Sequence, residues 1–185
     1  MSFLLSRKSI VTQWMVDPAP TKEDINFMLQ AAVTAPDHGW LRPWRFIVVE
    51  GDARGKLSDL FVDALKKRNP EATSEQLEKE GSRPKLAPLV IVVCSVMTDE
   101  KPGVPQNERV LSAGAAAQNI LLAAHERNYG AIWLTGNAAY DPTVKQGLGL
   151  EENMDIIGFL YIGSVEREVK ERKRPDPADY TIHWN

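Results

Sequence analysis

Cysteine is nearly absent. The 185-residue chain has one, Cys94, inside the apolar run from Pro88 to Val96. A single thiol closes no internal disulfide, and no Cys/His cluster has zinc spacing, so the fold must rest on its core alone. Cys94 reads as a buried, inert thiol. Long apolar runs are absent too: none reaches the ~18 residues a membrane span needs. There is no excess of cations. Lys+Arg number 22 against 25 Asp+Glu, a formal net charge of −3, which removes the basic footprint of a nucleic-acid binder. Repeats, low-complexity stretches and linkers are missing, which favours one domain over residues 1–185. Met1 to Val11 places Arg7 and Lys8 after its apolar residues, the wrong order for a signal peptide. A cytoplasmic protein is expected. The common catalytic signatures are missing as well: GxSxG, the Walker A loop, HExxH and a glycine fingerprint opening a βαβ unit. Of three histidines, only His38 falls in a candidate site, and no nucleophile–base pair suggests a triad.

What is present is ordinary for a globular chain: 43% hydrophobic and 25% charged residues, with enough length for a real core. Ser2 to Arg7 reads as a short helix. Thr21 with Asp24 three residues on resembles a capping box, and Ile25, Met28, Leu29 and Ala32 then recur at helical spacing. Pro36 stops that helix. Phe46 to Val49 is strand-like. Asp52 is placed to cap a helix whose buried face is Leu57, Leu60, Phe61 and Leu65. Glu71 to Lys85 is charged and poor in large apolar groups, so it reads as a mobile, solvated segment, a short exposed helix or a lid. Pro88 to Val96 reads as a central strand covered on both faces. Glu108 to Asn128 is the strongest helical signal, and its Ala113–Ala117 patch lets another helix approach closely, including one from a symmetry mate. Gly130 to Gly136 is a short strand ending in a turn. Asp141-Pro142 starts a short helix, and Ile156 to Val165 is a third strand-like run. The tail keeps Tyr180, Ile182 and Trp184 at alternating positions, a pattern suited to docking on a neighbour. Helices and strands mix without a βαβ rhythm, so the expectation is an α+β domain with helices covering a mixed, mainly antiparallel sheet.

Four features carry chemistry. They are a cation-plus-hydroxyl cluster (Arg7, Lys8, Ser9), a donor turn (His38, Arg42), the turn Trp133 to Gly136, and a basic tail, Lys170 to Arg174. Cations and hydroxyls suit a phosphate. Backbone donors at a glycine turn suit a flat polar ring, leaving the reaction to a cofactor.

Three motifs in order bring a resemblance. Arg7-Lys8-Ser9, then Ala35-Pro36-Asp37-His38 leading to Arg42-Pro43-Trp44-Arg45-Phe46, then Gly130-Ala131-Ile132-Trp133-Leu134-Thr135-Gly136 resemble the FMN-dependent nitroreductase family, its small single-domain members above all. The resemblance runs from Phe3 to about Pro177. It implies a homodimer with FMN at the subunit interface and ping-pong hydride transfer from NADH or NADPH to nitroaromatic, quinone or similar acceptors. By position, Arg7, Lys8 and Ser9 would hold the phosphate and the pyrimidine side of FMN. His38 and Arg42 would come from the second subunit. Trp133, Leu134, Thr135 and Gly136 would border the isoalloxazine, with a backbone N–H near its reactive nitrogen. Lys173 or Arg174 would add a phosphate contact. Three positions depart from the family pattern. Lys8 replaces a second arginine, Arg42 a glutamine or asparagine, and Leu134 a polar or charged residue. Arg42 would favour the anionic reduced flavin. A non-catalytic flavin- or small-ligand-binding dimer, a sensor or store, is the alternative.

Overall fold

Strand β2, Leu89–Val96, is buried along its whole length, and the fold is layered on it. In the computed structural model, which describes residues 2–98, 101–167, 169–170 and 173–184, β2 lies between β1, Trp44–Glu50, and β4, Met154–Gly163, with β3, Gly130–Leu134, outside β4. All three pairings are antiparallel, so the sheet expected to be mixed has no parallel pair among the described residues. Leu89, Ile91 and Val93 face α2, Lys22–Ala32, and α5, Gln106–Glu126. Val90, Val92 and Cys94 face the opposite layer, built on α3, Ala53–Arg68, and α6, Pro142–Gly147. Covering both faces explains the unbroken apolar run of β2. Each fully buried Val, Leu or Ile contributes roughly 1.5–3 kcal/mol. Cys94 is buried as expected, and burial pushes its thiol up to about 12.

The local signals are mostly obeyed. Thr21 and Asp24 form a complete capping box, and Asp141 caps α6 with Pro142 at its first turn. Asp52 is an exception: its side chain makes no cap bond. The segment 71–85 takes the short exposed helix among its readings. It forms α4, Ser74–Ser82, with a Thr73/Gln76 capping box. It is docked rather than mobile, because the Ser58 hydroxyl donates to the Gly81 carbonyl and an added Cβ at Gly81 would meet Val62 at 2.9 Å. The short helix α1, Phe3–Ser6, precedes Arg7. The tail stays on the surface, with Tyr180, Ile182 and Trp184 at 77%, 94% and 99% exposure.

Candidate functional site

The sequence-predicted residues gather in two places, at opposite ends of α5. At its C-terminal end, the Ile10 amide donates to Ala131 O of β3 at 3.0 Å, which fixes Arg7, Lys8 and Ser9 beside the start of that strand. The basic tail folds back onto them. Arg174 Nη2 donates to the Arg7 carbonyl, and Lys8 Nζ to the Val169 carbonyl. Lys173 stands exposed one residue before Arg174. Burial first, and the neighbouring Arg174 second, pull the Arg7 guanidinium below its ordinary value. Two guanidinium groups are thus held together, with no ion pair from either to a described carboxylate. Adjacent cations of this kind suit an anion. His125 completes this end: its Nε2 lies 2.8 Å from Ser6 Oγ, and Phe3 stacks on its ring at 5.2 Å.

From there the open edge of β3 leads to the turn at Leu134–Gly136. Ala131 O points away from β4, since it accepts from Ile10. In an antiparallel pair outward groups recur every second residue, so Trp133 turns its amide to the same open edge, and Thr135 follows one residue past the end of the strand. The distance from Ala131 to Leu134 is about 10 Å at ~3.3 Å per residue. The Trp133 indole lies over Gly158, where an added Cβ would sit 2.0 Å from Nε1, and Nε1 donates to Ile157 O at 3.2 Å. That carbonyl is free because Val93 faces Gly158 while Cys94 faces Ile156, leaving Ile157 as the extra residue of a bulge. Gly136 has φ 66° and ψ −173°, a region essentially reserved for glycine.

A residue that the sequence reading passed over closes this turn. A Cβ on Gly136 would meet Arg83 Nη1 at 2.9 Å, so the guanidinium of Arg83 covers the turn. Glu80, 9% exposed, holds it there through a 3.2 Å contact to Nε. In the sequence Arg83 is one cation in a charged run, and no local signal marks it.

The other end of α5 carries the donor turn. Gly39, Trp40 and Arg42 all have positive φ, 72°, 61° and 47°. For the last two this is strained backbone. Three tethers hold it: Asp37 Oδ2 accepts from the Arg42 amide at 2.7 Å, Lys101 Nζ donates to the Gly39 carbonyl, and Glu108 Oε2 lies 2.6 Å from His38 Nδ1. Glu108 and His125 stand about 25 Å apart along the helix at ~1.5 Å per residue. Within one chain, then, His38 and Arg42 do not reach Arg7. Between the ends lies a cavity of about 900 Å³ lined by Val110, Leu111, Gly114, Trp133, Tyr140 and Ile157; of the predicted site residues it touches only Trp133.

Residues 4–164 match the model of the nitroreductase family. The chain belongs to the nitroreductase family. It is 30% identical over 185 residues to "Putative NAD(P)H nitroreductase YdjA" of Escherichia coli (strain K12), covering 100% of this chain and 98% of that one. A crystal structure of a nitroreductase-like family protein from Bacillus cereus matches with a TM-score of 0.82 and 26% identity, over 98% of this chain and 94% of that chain. A second, "a putative nitroreductase in complex with fmn" from Desulfovibrio desulfuricans, matches with a TM-score of 0.75 over 99% and 95% of the two chains. At 23% identity that likeness bears on the fold alone. The nitroreductase fold here is the antiparallel sheet between two helical layers.

Proposed function

We propose that this nitroreductase-family chain is an FMN-dependent NAD(P)H oxidoreductase, a cytoplasmic homodimer of single FMN-binding domains with its flavin sites between the subunits. One observation carries the reading. A cation pair, an outward amide and a covering guanidinium follow β3 from its start to the turn that ends it, while the remaining donors stand about 25 Å away along α5. These groups fit FMN. Arg7, Lys8 and Arg174 offer the phosphate charge-assisted bonds, with Ser9 and Lys173 beside them. The Trp133 and Thr135 amides and Arg83 meet the polar edge of a flat ring, and Leu134, 40% exposed, borders it.

When bound, FMN would supply the hydride chemistry between a nicotinamide donor and a nitro compound, a quinone or a similar acceptor, in ping-pong order. The protein's part is orientation and charge. Gly136 leaves room for Arg83 over the turn. Arg42, one of the departures from the family pattern, adds a cation at the donor turn and favours negative charge on the reduced ring. A two-fold axis across α5 brings His38 and Arg42 of a second copy to Arg7, because it sets the two helices antiparallel. The exposed stripe Val110, Leu111 and Gln118 with half-buried Gly114 supports such a contact. The unpartnered Tyr180, Ile182 and Trp184 support a tail that lies on the second copy.

The test is the visible spectrum of the purified protein and the flavin that heat releases. A yellow protein that yields FMN and is bleached by NADPH or NADH without air is the expected result. Release of FAD, or no flavin after reconstitution, contradicts the assignment. Bound FMN that neither nucleotide bleaches would make the protein a flavin-binding dimer instead of a reductase.

A further inference from the structure

We infer that His38 and Glu108 form a proton-donating dyad for the acceptor, with His38 the acid and Glu108 its positioning residue. This rests on the reading that His38 faces the flavin site of a second copy. The contact is short, 2.6 Å between His38 Nδ1 and Glu108 Oε2. An ionised carboxylate only accepts, so Nδ1 carries the hydrogen. That fixes the tautomer and leaves Nε2 as the atom that takes up and gives up a proton. No hydrogen bond engages Nε2 among the described residues, and the side chain is 59% exposed.

The surroundings are built to hold this ring still. His38 opens the strained run through Gly39, Trp40 and Arg42, and Asp37, Lys101 and Glu108 each tie the run down. Glu108 is fixed in turn. It sits in the first turn of α5, where a negative charge suits the helix dipole, and its carbonyl accepts from Ser112 Oγ at 3.0 Å. Strain of this kind gathers at functional sites. A surface histidine with only a structural part needs neither the tethers nor a free Nε2.

The chemistry balances. Reduction of a quinone to its hydroquinone consumes one hydride and one proton. The hydride comes from the nicotinamide donor by way of the flavin. The proton comes from Nε2 of the protonated His38: the N–H bond breaks, an O–H bond forms at the quinone oxygen, and the neutral imidazole regains a proton from solvent.

The experiment compares acceptors on the reduced, FMN-loaded dimer in single turnover. Ferricyanide takes one electron and no proton, so the ratio of the benzoquinone rate to the ferricyanide rate cancels flavin occupancy. General acid catalysis contributes about 10²- to 10⁴-fold. His38→Gln is expected to lower the ratio about 100-fold, and Glu108→Gln by at least about 10-fold, in the same sense. A ¹⁵N NMR spectrum of the histidine rings supplies a readout independent of turnover. The wild type shows His38 protonated at Nδ1, and Glu108→Gln loses that tautomer preference. Unchanged ratios in both variants, with FMN bound, overturn the dyad and leave the oxidoreductase reading intact. A protein that binds no FMN overturns that reading and the dyad with it.

Discussion

Replacing Gly136 by alanine separates two effects that the structure places on one atom. The first is backbone strain. Gly136 holds φ 66° and ψ −173°, where an L-residue costs about 1–3 kcal/mol. The second is a collision. The new Cβ would lie 2.9 Å from Arg83 Nη1, the far end of a flexible side chain, so the guanidinium must shift, which disturbs its 3.2 Å contact with the mostly buried Glu80. Truncating Arg83 removes the collision and leaves the strain. Gly136→Ala is therefore expected to lose about 1–4 kcal/mol of stability by urea unfolding, the strain plus a weakened, partly exposed ion pair. In the Arg83→Ala background the same change should lose only the strain, about 1–3 kcal/mol. Flavin titration follows the same cycle. The single variant should bind FMN at least about 10-fold more weakly, since it moves both the turn and its covering cation. An alanine at 136 that leaves both stability and FMN affinity unchanged would refute a fixed turn at the ring edge.

Three more outcomes follow from other contacts. Arg7→Ala should weaken FMN binding by roughly 10- to 150-fold, the worth of a charge-assisted phosphate contact, with a far smaller effect on unfolding; equal affinity in the variant would return Arg7 to an ordinary helix end. Gly158→Ala drives a Cβ into the Trp133 indole, and overpacking of this kind costs typically 1–3 kcal/mol, read as a drop in Tm. For His125, burial first, then Arg7 and then Lys8 hold the imidazole below its ordinary value. The folded ring therefore binds its proton less readily than the unfolded one, so its contribution to stability is present above the ordinary imidazole range and lost as pH falls through it toward the folded value. His125→Asn should flatten the pH dependence of unfolding there, and a slope that persists in the variant would reject the assignment.

Much of the fold was legible because its signals are local. The Thr21/Asp24 box, the Asp141-Pro142 start and the apolar run of β2 each act within a few residues, and each forms as read. The misreadings are of two kinds. Asp52 has the right type at the right place, yet it makes no cap bond, because its backbone is already helical, φ −68° and ψ −21°, whereas a capping side chain usually rises from an extended residue. The 71–85 segment has the solvated face that was read, but its docked side was missed because the anchor is remote: Gly81 fits against Ser58 and Val62 of another helix, a packing that composition does not carry. The site divides in the same way. Arg7–Ser9 and Trp133–Gly136 are contiguous, so a sequence can nominate them. Arg83 over Gly136 and Glu108 on His38 join residues far apart in the chain, and only the fold brings them together.

The flavin site shared between two copies is most directly tested by complementation. One variant carries Arg7→Ala, the other His38→Ala with Arg42→Ala, and each alone should bind little FMN. After mixing, unfolding and refolding together, random pairing gives heterodimers in about half the population, each with one intact site of two, so about one site in four should regain FMN. Recovery near that fraction, measured by protein-bound flavin absorbance on a dimer peak, is the predicted result. No recovery from two folded, dimeric variants, or FMN travelling with a monomer, would contradict a site built from both chains.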